Sequence, residues 1–206
     1  MRLSSALVAA ALLLAVAFAG EDTEPPQLFT LDVDGVATAV RLDEPFTVKI
    51  GDRDVPMTLR VAEHRVFDAT GVSFRYPRHF TFEYEKDVFA TIWTLEGPST
   101  VLILTRGPRQ NPATAARDTA LGSMGALGAS GHEKTELVTK AGKLEGVGFT
   151  ATVAMAQLRQ EVYAFDVPGG TCILIVQDLL NDDGTGSEAT KKAVALFAES
   201  LAIAKE

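Results

Sequence analysis

The sequence predicts an α+β protein, because short runs of alternating apolar and polar residues dominate it and only two stretches begin like helices. The alternating runs are separated by turn residues, for example at Asp34-Gly35, Glu96–Ser99 and Pro168–Gly170, which indicate hairpins. One helix start is Asn111-Pro112, where asparagine can cap and proline fits the first turn, and the other is the capping box Thr185–Glu188. We therefore expect many strands and two helices.

Residues 1–19 have the features of a secretory signal peptide. Arg2 is an early cation, an apolar run extends from Ala6 to Phe18, and the small residue Ala19 precedes the predicted cleavage point. The run is short for a membrane span, which needs roughly 20 apolar residues, and no cysteine at the cleavage point could carry a lipid. A retained N-terminal anchor is the alternative. We expect a mature chain that begins at Gly20, is secreted or periplasmic, and inserts into no membrane after cleavage.

The net charge makes two classes of partner improbable, and the single cysteine excludes an intramolecular disulfide. The formal net charge is -8, so the phosphate backbone of a nucleic acid and an anionic lipid surface are poor partners. Cys172 is the only cysteine, so no intramolecular disulfide can form. It lies in the apolar run Cys172–Val176, which predicts a buried side chain without a catalytic role.

Residues 20–65 are expected to form a β-rich N-terminal segment. Four alternating runs follow a short proline-containing arm, and they pair as Leu28–Val33 with Val36–Leu42 and Phe46–Ile50 with Val55–Val61. The second pair is joined across Gly51–Asp54. The sequence leaves open whether these strands form a subdomain or extend the main sheet.

Residues 66–206 are expected to form the main α+β domain. The strand Val72–Tyr76 must end at Pro77, because proline lacks the N–H that a strand ladder needs. The run Val101–Leu104 is apolar on both faces and predicts a central strand. The other predicted elements are strands at 80–85, 88–95, 147–155, 161–167 and 171–179, a helix behind Asn111 with Ala116, Ala120, Met124 and Leu127 on one face, and a last helix that buries Val194, Phe197 and Leu201.

A family resemblance rests on residues of this second part. They are the strand Val72–Tyr76 closed by Pro77, the strand entry Leu144–Gly146, the pair Gln160–Tyr163 and Cys172–Val176, and the closing helix through Ser200-Leu201. From about Val66 onward the order of elements resembles the PsbP-like fold, which the PsbP family of extrinsic photosystem II subunits shares with bacterial DcrB-like periplasmic proteins.

The resemblance implies an antiparallel β-sheet flanked by helices, with the N-terminal β-hairpins as an extension outside it. It also implies an accessory or partner-binding role rather than catalysis. The metal and partner residues of the photosystem proteins have no matching motif in this chain, so a photosynthetic role is not carried over.

The junction Tyr76-Pro77 is the best candidate for a functional site. Arg75, Arg78 and His79 surround it, and we single them out as candidate ligand or partner contacts. Because side chains alternate along a strand, Arg75 faces away from Tyr76, and the polar groups do not converge by a simple rule. We therefore favour a sheet corner, with Tyr76 in the core and Arg78 and His79 near solvent, and keep a ligand or partner contact as the alternative.

The sequence assigns no catalytic, cofactor-binding or metal-ligating residue. The three histidines follow no metal-ligand spacing. Asp32–Gly35 fits a hairpin turn better than a calcium loop, because Arg41 stands where such a loop needs glutamate. The motifs of serine hydrolases, phosphate-binding loops, zinc proteases and dinucleotide-binding folds are missing.

We therefore expect a non-catalytic accessory or binding protein that acts on an envelope partner without a cofactor. Two alternatives stay open: a small extracytoplasmic hydrolase or metal-dependent enzyme with an unrecognised site, and a carrier of a small apolar ligand. A deep pocket that gathers histidine and acidic side chains would favour the enzyme, and an enclosed cavity would favour the carrier. A shallow apolar patch on the sheet would favour partner binding.

Overall fold

A computed structural model describes residues 28–204 of the chain. The predicted signal peptide and the arm behind it lie outside the described residues. The described chain consists mainly of antiparallel strands with two helices, so the predicted α+β class is confirmed. It divides into two compact units, residues 28–61 and residues 62–204.

The first unit consists of two hairpins. Its strands are β1 (Leu28–Val33), β2 (Val36–Arg41), β3 (Pro45–Ile50) and β4 (Arg53–Thr58), paired as β1 with β2 and β3 with β4. A parallel bridge joins Leu42 to Leu59. Val40 and Val48 are buried.

The second hairpin is tighter than the sequence predicted. Its turn is Gly51-Asp52, with Gly51 at φ 60°, so that Ile50 pairs directly with Arg53. The predicted strand Val55–Val61 is therefore wrong at both ends, since β4 covers Arg53–Thr58. The late predicted start has a physical reason: aspartate has low strand propensity, but the two-residue turn places Arg53 and Asp54 in the ladder.

The second unit contains a large and a small sheet. Its strands are β5 (His64–Ala69), β6 (Val72–Pro77), β7 (Thr81–Lys86), β8 (Thr91–Glu96), β9 (Thr100–Gly107), β10 (Glu133–Thr139), β11 (Gly142–Val153), β12 (Ala156–Val167), β13 (Gly170–Leu179) and β14 (Ala202–Ile203). The large sheet has the order β10-β11-β12-β13-β9-β8-β7, and the small one has the order β14-β6-β5. β9 lies inside the large sheet, as its two-sided apolar run predicted.

Several strand boundaries differ from the prediction. The sequence did not predict β5 or β10, which lie at sheet edges and carry many polar residues. β11 and β12 are longer than predicted. They pair with each other over Gly146–Val153 and Ala156–Tyr163 around a two-residue turn at Ala154-Met155, and their far ends are extended by pairing with β10 and β13. β8 begins at Thr91 instead of Val88, because Val88 and Phe89 form the turn after β7.

The helices are α1 (Pro112–Leu127) and α2 (Glu188–Ser200). Asn111 caps α1 as predicted: its side chain accepts the N–H of Thr114 at 3.1 Å. Gly128 ends this helix in the left-handed conformation, with φ 67°. No helix within residues 28–204 is long and apolar enough to cross a membrane.

The cap of α2 is Ser187, so the predicted cap at Thr185 is wrong. Ser187 Oγ accepts the N–H of Thr190 at 3.1 Å. The N–H and hydroxyl of Thr185 instead donate to the Asp183 carboxylate. The buried carboxylate of Asp178 accepts the Ser187 N–H at 3.1 Å and the Thr190 hydroxyl at 2.6 Å, which anchors the helix start to β13.

The large sheet separates two hydrophobic clusters, because residues alternate between its faces. Along β12, Val162 and Ala164 pack against α1, whereas Tyr163 and Phe165 face the cluster that contains α2 and the small sheet. Cys172 belongs to the second cluster and is 0% exposed, so its predicted burial is confirmed. Burial raises the pKa of its thiol to about 12, which keeps it protonated and unreactive near neutral pH.

Candidate functional site

The corner predicted after Tyr76 is present. β6 ends at Pro77, and the Phe80 N–H donates to Pro77 O at 3.2 Å to close a turn. The Tyr76 side chain is only 5% exposed, whereas Arg78 and His79 are exposed. The predicted positions of these three side chains are confirmed.

Arg78 and His79 line a shallow groove of about 770 Å³ together with Glu63 and Arg65. The Arg78 N–H donates to Glu63 O at 3.0 Å, which ties the corner to the chain just before β5. The groove thus gathers two guanidinium groups, an imidazole and a carboxylate on an open surface. This arrangement can contact a polar or charged group of a partner.

Arg75 does not join Arg78 and His79 in this groove. Its N–H donates to Ser200 Oγ at 2.7 Å, so the end of α2 takes the place of a strand partner there. Its guanidinium lies 3.9 Å from Glu199 on the exposed side of the small sheet. Of the three residues singled out from the sequence, the structure therefore brings two together.

Neither of the other histidines lines the groove with His79, although His64 lies beside the corner. His64 pairs with Pro77 across the small sheet, and His132 precedes β10 at the far edge of the large sheet. Within residues 28–204, no group of three or more His, Cys, Asp or Glu side chains is placed to hold a metal ion.

The second surface feature is the exposed edge of the large sheet formed by β7. No described strand pairs with the outer side of β7. Phe82 and Tyr84 are 45% and 54% exposed there, although their partners Leu95 and Trp93 on β8 are buried. We call Phe82, Glu83, Tyr84 and Glu85 the β7 edge.

The backbone of the β7 edge has free hydrogen-bonding groups. The Asp87 N–H donates to Ala90 O at 3.0 Å, which makes these two residues a hydrogen-bonded pair. Because such pairs alternate along an antiparallel ladder, Glu85 and Glu83 also bond to β8. The N–H and C=O groups of Phe82 and Tyr84 therefore point away from β8, toward the open side.

The turn beside the β7 edge is also apolar. Val88 and Phe89 are 91% and 78% exposed at its tip. The Asp87 carboxylate accepts the N–H groups of Ala90 and Phe89, both at 2.6 Å, and these bonds lower the pKa of Asp87. These two hydrogen bonds from the backbone to the Asp87 carboxylate stabilise the turn.

The opposite edge of the same sheet is different. β10 carries Glu133, Lys134 and Glu136, so charges of both signs interrupt it, and Glu136 pairs with Lys143 of β11. Mixed charges on an edge strand discourage pairing with another chain. β7 keeps its charges of opposite sign on different faces: Glu83 and Glu85 lie on one face without a cation, whereas Lys86 shares the other face with Phe82 and Tyr84. The two edges are therefore not equivalent.

A polar network joins β10 to β12 across β11, and none of its residues was a candidate site residue from the sequence. Arg159 Nη2 lies 2.7 Å from Glu133 Oε1 and 2.9 Å from Glu161 Oε1. The Tyr163 hydroxyl donates to Glu161 Oε2 at 2.7 Å, and burial of the ring, together with the charge of Glu161, raises the pKa of Tyr163. Because each charge in the network has a partner, we interpret the network as a structural link between strands.

Sequence reasoning missed the β7 edge as a candidate site. The alternation of Phe82 and Tyr84 with Glu83 and Glu85 predicted a strand but not its place in the sheet. The available signal was the combination of two aromatic residues on one face with two like charges on the other.

No protein-family model matches the chain. A search of the curated proteins finds no match either.

Proposed function

We propose that this protein is a secreted or periplasmic, non-catalytic accessory protein that binds another envelope protein by adding a strand of that partner to the β7 edge. The observation that carries the proposal is the combination of unpaired backbone groups and exposed aromatic side chains at Phe82 and Tyr84. Open, regular strand edges of this kind are templates for pairing with another chain.

The energetics support strand addition. A docked strand would satisfy the outward N–H and C=O groups of Phe82 and Tyr84 and would cover both rings. Apolar burial contributes roughly 25 cal/mol per Å², so two aromatic side chains can anchor such a contact. The exposed tip at Val88 and Phe89 would enlarge the apolar area.

The PsbP-like fold is part of the proposal. An antiparallel sheet with helices on its two faces agrees with the resemblance, and the hairpins of residues 28–61 would be the extension outside it. The accessory role that this resemblance implies agrees with a binding edge on the sheet. The corner groove at Arg78 and His79, near the start of β7, is proposed as a secondary partner contact.

Blocking the β7 edge should abolish partner binding without unfolding the protein. Tyr84→Pro removes an N–H that points away from β8, so it blocks an added strand while leaving the existing ladder intact. We expect affinity capture of the tagged mature protein, from the extracytoplasmic fraction of the cells that make it, to recover a partner with the natural chain and not with Tyr84→Pro.

The matched control is Val138→Thr, which removes an exposed apolar side chain from the opposite edge. It should leave capture unchanged, and circular dichroism should show all variants folded. Recovery of the same partner by Tyr84→Pro would contradict binding at the β7 edge.

The exported form should begin near Gly20 and carry no lipid. Its intact mass, measured after recovery from the extracytoplasmic fraction, should match the chain without residues 1–19, because the small residue Ala19 suits signal cleavage. A mass that matches the uncleaved chain, or one with an added acyl group, would contradict this prediction.

A further inference from the structure

We infer that the strand which docks on the β7 edge alternates apolar residues with lysine or arginine. The inference rests on the proposed function and specifies the chemistry of the partner. It follows from the two different faces that the edge presents.

The aromatic face sets the apolar positions of the docked strand. The free backbone groups belong to Phe82 and Tyr84, so residues of an added strand would lie directly opposite these two. Directly opposed residues point to the same face of a sheet and contact each other. The residues opposite Phe82 and Tyr84 would therefore be apolar or aromatic.

The other face sets the basic positions. Thr81, Glu83 and Glu85 lie on it, and Glu96 of β8 joins them because it pairs with Thr81. The remaining residues of β8 on this face are Ile92 and Thr94, so neither strand carries a cation there. Side chains opposite Glu83 and Glu85 would face carboxylates that have no ion-pair partner among residues 28–204, and a lysine or arginine at these positions makes the favourable cross-strand pair.

A second copy of this chain fits the edge poorly. In a two-fold antiparallel pair, opposed residues must come from the same face of β7. The two registers that pair five strand residues are centred on Glu83 and on Tyr84. The first opposes Glu83 to its own copy, and the second opposes Glu83 to Glu85 twice, so both registers place like charges together.

The test uses three blocked octapeptides, each labelled with a fluorophore: alternating Val-Lys, Val-Glu and Val-Thr. Binding to the full mature protein is measured by fluorescence anisotropy, and hydrogen exchange locates the protected amides. We expect the Val-Lys peptide to bind and to protect the amides of Phe82 and Tyr84. We expect this binding to be lost in Tyr84→Pro. The Val-Glu peptide should not bind.

Reversing the charges of Glu83 and Glu85 should reverse the preference of the edge for a basic over an acidic peptide. In Glu83→Lys/Glu85→Lys two attractive pairs become repulsive, so the Val-Lys peptide should bind about tenfold more weakly and the Val-Glu peptide should now bind. Asp118→Lys/Asp182→Lys makes the same change in net charge at exposed positions away from the edge and should leave Val-Lys binding unchanged.

The outcomes separate the two proposals. Equal binding of the Val-Thr and Val-Lys peptides at β7 would overturn the inference that the docked strand is basic, but it would still support strand addition. Equal weakening of Val-Lys binding by both double variants would likewise overturn it, since net charge alone would then explain the affinity. If no peptide protects the β7 amides, or Tyr84→Pro changes nothing, strand addition itself fails. Self-association of the natural chain through β7, seen by sedimentation, would assign the edge to a second copy.

Discussion

Tyr76→Ala is expected to lower the free energy of unfolding by about 3 kcal/mol, in the range for removing a buried aromatic side chain. Tyr76 is the last core residue before the corner, and its ring packs 6.4 Å from that of Phe74. The ring centroid of Phe74 in turn lies 4.7 Å from that of Phe67 and 4.8 Å from that of Phe197. Removing the Tyr76 ring would therefore open a cavity in the cluster that joins the small sheet to α2. Chemical denaturation of the mature protein measures this loss.

His79→Ala is the matched change on the other side of the same corner. Because His79 is exposed, the free energy of unfolding should stay within about 0.5 kcal/mol of the natural value. Partner capture should survive as well. If His79→Ala preserved stability but abolished capture or any measured activity, the corner groove would be the primary site and the β7 edge would not.

Gly146→Ala is expected to cost about 3 kcal/mol, at the upper end of the usual penalty for overpacking. A Cβ at this position would lie 2.5 Å from Val162 O and 2.6 Å from Tyr163 Cδ1. The carbonyl cannot move without breaking the pairing of β11 with β12, and the Tyr163 ring is held by its bonds to Glu161 and Thr135. The same denaturation measurement tests this change.

Gly122→Ala provides a control of opposite sign. Gly122 lies within α1, and a Cβ there would meet no atom within 4 Å apart from its chain neighbours and the backbone of its own helix. Alanine favours a helix over glycine by up to about 1 kcal/mol, so this variant should be more stable than the natural chain. Equal effects of the two glycine replacements would contradict the tight contact inferred at Gly146.

Local chemistry explains the elements that could be predicted. Asn111-Pro112 starts a helix wherever the following residues permit one, because the asparagine side chain supplies the cap and proline gives up an N–H that has no partner there anyway. Pro77 ends β6 for a similarly local reason. These features depend on residues adjacent in the chain, and the structure confirms both.

The cap of α2 shows where local reasoning stops. Thr185 and Ser187 both carry a hydroxyl that can cap a helix, and the spacing to Glu188 favoured Thr185. Asp178, at the end of the preceding strand, instead binds the Ser187 N–H and the Thr190 hydroxyl. The cap is Ser187 rather than Thr185 because the buried Asp178 carboxylate needs hydrogen-bond donors, and the start of the helix at Ser187 supplies them.

By itself the sequence determined that residues 80–85 form a strand, which the structure places at Thr81–Lys86, and that Phe82 and Tyr84 share one face while Glu83 and Glu85 share the other, because alternation is a property of any extended chain. It did not determine that this strand lies at the edge of the sheet. Pairing order depends on hydrogen bonds between distant segments, here β13 with β9, β9 with β8 and β8 with β7, with no described strand beyond. Only the tertiary structure therefore decided that the two aromatic rings and their backbone groups face solvent, where a partner strand can reach them.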